Sequence, residues 1–177
     1  MNFALRDRKK GKGSLRNPGG VFTNTFETII QLAEIMRDNQ IRPEIEVYDL
    51  GGMYNILFLM EREDFFTDPM YFQLVFGVLG GVPFNVSTLS NFLEAMPKGS
   101  NWSVCGVSKD QINAAMCAIT QGGHVRVGLE DSLRNYRGEL AACSHEQVEW
   151  AAKVIELAGL EVATAEETRE ILKLRSS

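Results

Sequence analysis

From residue 21 onward the chain alternates short apolar runs with amphipathic segments of helical spacing, and this alternation limits the folds open to it. The runs are VFTNT (21–25), EIEVYDL (44–50), YFQLVFGV (71–78), WSVCGV (102–107) and VRVGL (125–129). Between them lie FETIIQLAEIMRDN, MYNILFLMERED, STLSNFLEAM and KDQINAAMCAIT, whose apolar residues recur at helical intervals. Strand followed by helix, repeated, predicts parallel strands joined by crossover helices: an α/β fold with both faces of its sheet covered. A closed barrel and an open doubly wound sheet both satisfy that pattern. Helix starts are expected where a short oxygen side chain stands three residues before an acid or amide that can reach back: Asn24 with Glu27, Ser108 with Gln111, Ser144 with Gln147, and Thr164 with Glu167. The last two helices, in HEQVEWAAKVIELAG and AEETREILKLR, are expected to pack through Val148, Ala151, Ala152, Ile155 and Ala158, then Ile171 and Leu174, with Trp150 covering a neighbour.

The strands carry two unlike faces. In GGHVRVGLEDS (122–132) Val125, Val127 and Leu129 alternate with His124, Arg126, Gly128 and Glu130, and in EIEVYDL Ile45 and Val47 alternate with Glu44, Glu46 and Tyr48. In a barrel the apolar face meets the helices and the other points inward, so acids near strand ends line a site there. A closed barrel needs eight strands and typically about 250 residues. The 177 residues yield four convincing strand–helix units plus the short VFTNT. The expectation is one unit over 1–177 that forms about half a barrel, with a basic rim loop at 6–16, βα units over 21–143 and closing helices over 144–177.

Composition excludes several classes. A hydrophobic content of 45% suits one ordinary core, and a net charge of −5 gives no support to nucleic-acid binding. ILFLM (56–60) is far too short to span a bilayer, and MNFALRDRKK lacks the apolar stretch of a signal peptide, so a cytoplasmic location is expected, without membrane association. Cys105, Cys117 and Cys143 form no C-x-x-C pair and suggest reduced, mostly structural thiols. Residues 6–16 hold Arg6, Arg8, Lys9, Lys10, Lys12 and Arg16 against Asp7, either as a solvated loop or as a rim that attracts an anionic ligand. GKGS within them lacks the preceding strand and the glycine spacing of a phosphate loop.

GGHVRVGLED (122–131), PEIEVYDLG (43–51), LVFGVLGGVP (74–83), NWSVCGVSKDQINAAMCAITQGG (101–123) and VATAEETREILKL (162–174) together resemble the β-keto acid cleavage enzymes, the family that includes 3-keto-5-aminohexanoate cleavage enzyme. The likeness is to the C-terminal half of a (β/α)8 TIM barrel. It implies a zinc-dependent exchange of a 3-keto acid with acetyl-CoA as co-substrate, giving acetoacetate and a new acyl-CoA, in an enzyme that assembles as a homo-oligomer. By the same resemblance Glu130 is the zinc ligand, Asp131 and Arg126 form the catalytic dyad that takes a proton from the acetyl-CoA methyl, and Glu46 contacts substrate or supports the dyad.

The chain departs from the family in places. Its two histidines, His124 and His145, form no H-x-H pair, which the family uses to hold zinc, and Ser132 stands where an asparagine usually follows GLED. Apart from the resemblance, Glu130 reads as a solvated strand-end acid sooner than as a metal ligand, and Arg126 with Asp131 or Glu46 also reads as a structural ion pair at a barrel mouth. Gly77, Gly80 and Gly81 read either as backbone that approaches a thioester or as ordinary turn glycines. His124 is expected to be packed and His145 to lie at the surface. The rival to an enzyme is a non-catalytic remnant or assembly module of the same fold.

Overall fold

A computed structural model describes residues 5–7, 14–16, 21–64, 66 and 69–175. The chain runs β1 (Leu5–Asp7), β2 (Ser14–Arg16), α1 (Phe26–Asp38), β3 (Ile45–Val47), α2 (Leu50–Met60), β4 (Tyr71–Phe76), α3 (Val86–Ala95), β5 (Asn101–Gly106), α4 (Gln111–Thr120), β6 (His124–Arg126), α5 (Ser144–Leu157) and α6 (Ala165–Ile171). A 3-10 turn, Ser108–Asp110, leads into α4.

Strands β3 to β6 form one parallel sheet in the order β3-β4-β5-β6. Each strand therefore lies beside its predecessor in sequence, with no reversal of order. A doubly wound sheet needs such a reversal, because right-handed crossovers put helices on its second face only when the strand order turns back. Here α2 (Met53, Ile56), α3 (Leu89, Phe92) and α4 (Ala114, Ala118) all join one core with Val47, Phe72, Leu74, Phe76 and Val104, so the three helices share a face. That is the arrangement expected of an arc of a barrel. Among the described residues β3 and β6 each have a strand neighbour on one side only.

The core forms because each strand places large apolar side chains on its helix face. Phe72, Leu74 and Phe76 of β4 are fully buried, and the Phe76 ring meets Phe84 and Phe92 edge-on at 5.3 and 5.8 Å. Parallel registers stack the other face in rows: Glu46, Gln73, Ser103 and His124 in one, Val75, Cys105 and Arg126 in the next.

Several local expectations fail, for identifiable reasons. VFTNT makes no strand over residues 22–25, since Thr25 caps α1 by accepting from the Thr28 amide at 3.1 Å; the cap is Thr25, not Asn24. EIEVYDL is strand only over Ile45–Val47, because the Asp49 carboxylate accepts from the Gly52 amide at 2.7 Å and opens α2 at Leu50. VRVGL stops at Arg126, where the chain turns. Ser108 caps nothing, and α5 is preceded by Cys143, while Ser144 turns its hydroxyl to the Leu129 amide. Thr164 with Glu167 does form the full capping box. The buried face of α5 runs through Gln147 and Ala151, and Val148 is exposed; Trp150 stacks on Tyr136. Most of the basic stretch 6–16, residues 8–13, lies outside the described residues, and its flanks pair antiparallel as β1 and β2.

Candidate active site

The polar face of the sheet converges on Arg126. Its guanidinium carries five N–H groups, and five acceptor contacts surround it. Nε and Nη2 donate to the two oxygens of Asp131, at 3.0 and 3.2 Å, in the forked geometry that suits a carboxylate. Nη1 donates to Glu46 Oε1 at 3.2 Å and to Gln73 Oε1 at 3.0 Å, and Nη2 lies 3.1 Å from Glu130 Oε2. All four predicted site residues thus meet at one guanidinium, and the structure adds Gln73. The four differ in exposure: the side chain of Asp131 is 8% exposed, that of Glu46 42% and that of Glu130 84%.

Glu130 and Asp131 reach this point by a turn, not by strand alternation. After Arg126 the backbone folds so that the amides of Asp131 and Ser132 both donate to the Gly128 carbonyl, at 3.2 and 3.0 Å. Neighbouring elements pin the turn. Gln111, buried at the start of α4, accepts from the Gly128 amide at 3.2 Å; Ser144 accepts from the Leu129 amide at 3.2 Å; the Ser108 amide donates to the Asp131 carbonyl at 2.7 Å. Gln147 of α5 donates to the Ser132 carbonyl at 2.8 Å. Ser108 holds φ of +59°, a left-handed conformation unusual for a residue with a side chain, and its amide contact to Asp131 accompanies it. Ser132 is buried, with its hydroxyl on the backbone of Arg134.

The network extends across the sheet. The Gln73 amide nitrogen donates to Glu44 and the Tyr48 hydroxyl donates to Glu46 at 2.8 Å. Burial, reinforced by the neighbouring Glu46 charge, pushes the Glu44 carboxyl above the usual carboxylate range. The Tyr48 phenol is raised by burial and by its bond to Glu46. Cys105, buried beside Asp131, has its thiol pushed up to about 12, by burial first and the Asp131 carboxylate second.

The glycines after β4 serve close packing between protein groups. Gly77 has φ of +88°, and a Cβ there would stand 2.9 Å from an Asp110 carboxylate oxygen; one on Gly81 would stand 2.8 Å from the Tyr48 carbonyl. His124, expected to be packed, begins β6 with its ring edge-on to Tyr71 at 6.4 Å and keeps much of its surface open; partial burial lowers its pKa. His145 is exposed on the first turn of α5. Sequence reasoning missed Gln73, Cys105, Gln111 and Ser108. For Gln73 a signal existed: it is the one amide in an otherwise apolar run and shares its face with Tyr71 and Val75.

Among the described residues no group of three or more His, Cys, Asp or Glu is placed to hold a metal ion. No helix among them is long and apolar enough to cross a membrane.

A family model for the beta-keto acid cleavage enzymes matches residues 1–174. The chain is 38% identical over 161 residues to a 3-keto-5-aminohexanoate cleavage enzyme of Fusobacterium nucleatum, covering 90% of this chain and 58% of that protein. It is 36% identical over 161 residues to a 3,5-dioxohexanoate:acetyl-CoA acetone transferase of Paraburkholderia graminis, covering 89% and 52%. It is 33% identical over 174 residues to a 3-dehydrocarnitine:acetyl-CoA trimethylamine transferase of Rhizobium meliloti, covering 98% and 53%. The chain spans little more than half the length of the curated relatives it matches.

Proposed function

Because the chain belongs to the beta-keto acid cleavage enzyme family, we propose that it contributes the proton-transfer half of an active site that exchanges a 3-keto acid with acetyl-CoA, giving acetoacetate and a new acyl-CoA. The observation that carries this reading is the forked, largely buried Arg126–Asp131 pair, with Glu46, Gln73 and Glu130 grouped on the same guanidinium.

Atom balance corrects which carbon loses the proton. Were the acetyl-CoA methyl deprotonated, its attack on the ketone and cleavage would yield acetate and a longer 3-ketoacyl-CoA, not acetoacetate. The stated products require deprotonation at C2 of the keto acid. The C2 carbanion attacks the thioester carbonyl and expels coenzyme A thiolate. The thiolate then adds to the former C3 ketone, and the C2–C3 bond breaks to release acyl-CoA and the carbanion of acetoacetate, which takes a proton back. Asp131 is the group we assign to remove and return that proton, since one oxygen can turn to substrate while Arg126 retains the other. Arg126 fixes the carboxylate's direction and balances its charge. Glu46 steadies Arg126 from the far side.

Zinc, implied by the family resemblance, would polarise the keto acid's carbonyl. The described residues do not by themselves fit it: Glu130 offers one oxygen donor, and a zinc site takes at least three protein ligands. Glu130 is therefore proposed only as one oxygen donor to such an ion, and no step is routed through it.

The test uses acetyl-CoA labelled with 13C in its methyl group, in deuterium oxide. Acetoacetate whose labelled methyl keeps all three protons supports abstraction at C2, and loss of methyl protons would contradict it. Asp131→Asn should lower kcat by about 10²- to 10⁴-fold with KM changed far less. A wild-type rate in that variant would return the pair to a structural role. Absence of turnover in the wild-type chain would favour the second reading, a non-catalytic assembly module of the same fold.

A further inference from the structure

We propose that Gln73 is the positioning residue that fixes the direction of the Arg126 guanidinium, and so of the Asp131 carboxylate. The consequence for turnover rests on the proton-transfer reading above; the geometry does not.

Gln73 sits on β4 in the middle of the polar face, in register between Glu46 of β3 and Ser103 of β5, and is 4% exposed. Arg126 reaches it from β6, two strands away. With Nε and Nη2 turned to Asp131, Nη1 points back across the sheet to Gln73 and Glu46. Of these two acceptors Gln73 is buried and Glu46 is 42% exposed, so water replaces Glu46 at Nη1 more readily than it replaces Gln73. The orientation of the amide is forced. A guanidinium only donates, so Oε1 must face Arg126, which leaves Nε2 to donate to Glu44. The amide is held at both ends and cannot flip without putting two donors together.

An acceptor toward Arg126 is what this position requires. A carboxylate at residue 73 would still accept from Arg126 and would lose only the N–H that the amide gives Glu44. An apolar side chain would leave a part-buried Nη1 donor without its protein acceptor, which costs more than the loss of a fully exposed bond. The amide supplies the bond without the charge.

The experiment reads hydrogen exchange at the Arg126 Nε–H in the 177-residue chain by 1H–15N NMR, with the signal assigned by its loss in Arg126→Lys. In the wild type this proton should be protected. Gln73→Met, similar in volume but without an acceptor, should speed its exchange about tenfold or more. Gln73→Glu, which restores an acceptor, should keep it slow. Gln73→Asn keeps a polar group but is one methylene too short to reach both partners, so it should also lose protection; it decides the matter if Gln73→Met does not fold. Three results would overturn the proposal: no protected Arg126 signal in the wild type, wild-type protection in Gln73→Met or Gln73→Asn, or equal loss in Gln73→Met and Gln73→Glu, which would make the residue mere filling. In turnover assays Gln73→Met should lower kcat about 10- to 100-fold and shift the pH profile, with little change in KM. Unchanged kinetics with the NMR result intact would count against the proton-transfer reading and leave the positioning role standing.

Discussion

At the scale of single residues, the site combines one cation with four acids of unequal exposure, and the inequality gives each a different expected behaviour. Glu44 is exposed at the rim of the polar face, bonded to Gln73 and near Glu46, and its carboxyl is raised above the usual range, first by desolvation and then by that neighbour. A raised carboxyl means the folded protein binds the proton more tightly than the unfolded chain, so stability falls with rising pH, from the ordinary value of 4.5 up through the raised one. Glu44→Gln keeps an acceptor for Gln73 but removes the charge. Its melting temperature should therefore be flatter than the wild type's across that window and higher at neutral pH; parallel curves would show that Glu44 is not desolvated. The thiols give a second contrast. With Cys105 buried and raised to about 12 and Cys143 exposed, an alkylating reagent at pH 8 should modify Cys143 in the native protein and spare Cys105 until denaturant is added. Labelling of native Cys105, read by peptide mass, would mean that the polar face opens. The sequence made Arg126, Glu130, Asp131 and Glu46 legible as a group because their motifs resemble a family. Gln73 was not, because parity on a strand says which face a side chain takes and not which partner it meets.

At the scale of elements, the strand–helix alternation was legible almost throughout, whereas ends of elements were not. Three of the four expected capping boxes failed for a shared reason: the short polar residue found a different partner or a neighbour took the cap. Thr25 displaced Asn24, Ser144 went to Leu129, and Ser108 gave its amide to Asp131 from a left-handed conformation. Such outcomes depend on which chain segment lies alongside, which local spacing does not encode. The β4–α3 loop shows the same dependence in reverse. Gly77 looked like a plain turn glycine or a cradle for a ligand, and the structure makes it a point where Asp110 presses on the backbone. Gly77→Ala adds a left-handed penalty of about 1–2 kcal/mol to a Cβ placed 2.9 Å from the carboxylate. Urea unfolding should show a loss of at least that size, and a loss below about 0.5 kcal/mol would mean that the Asp110 side chain gives way freely.

At the scale of the molecule, the parallel four-stranded sheet was anticipated, and its strands lie in sequence order. Parallel sheets are normally covered on both faces and bounded at their edges, since an exposed strand edge offers unpaired N–H and C=O groups to any other strand. In this sheet α2, α3 and α4 cover one face, while the other carries the Arg126 network, and β3 and β6 each pair on a single side among the described residues. Around β3 lies a trough of about 770 Å³ that touches both faces of that strand, from Ile29, Leu32 and Ile45 to Glu44 and Glu46. The trough runs along the edge of β3 that has no strand neighbour among the described residues. The 177-residue chain expressed alone is therefore expected to self-associate, and analytical ultracentrifugation should show species larger than 19.8 kDa whose proportion rises with concentration. Substituting Lys for Ile45 would not test this, because that side chain is also part of the core; Leu32→Lys on exposed α1, beside the trough, should reduce association while leaving the melting temperature within a few degrees. A concentration-independent monomer that unfolds cooperatively would show that the open edges are covered within the chain itself, and the reading of the sheet as an arc needing completion would then be wrong.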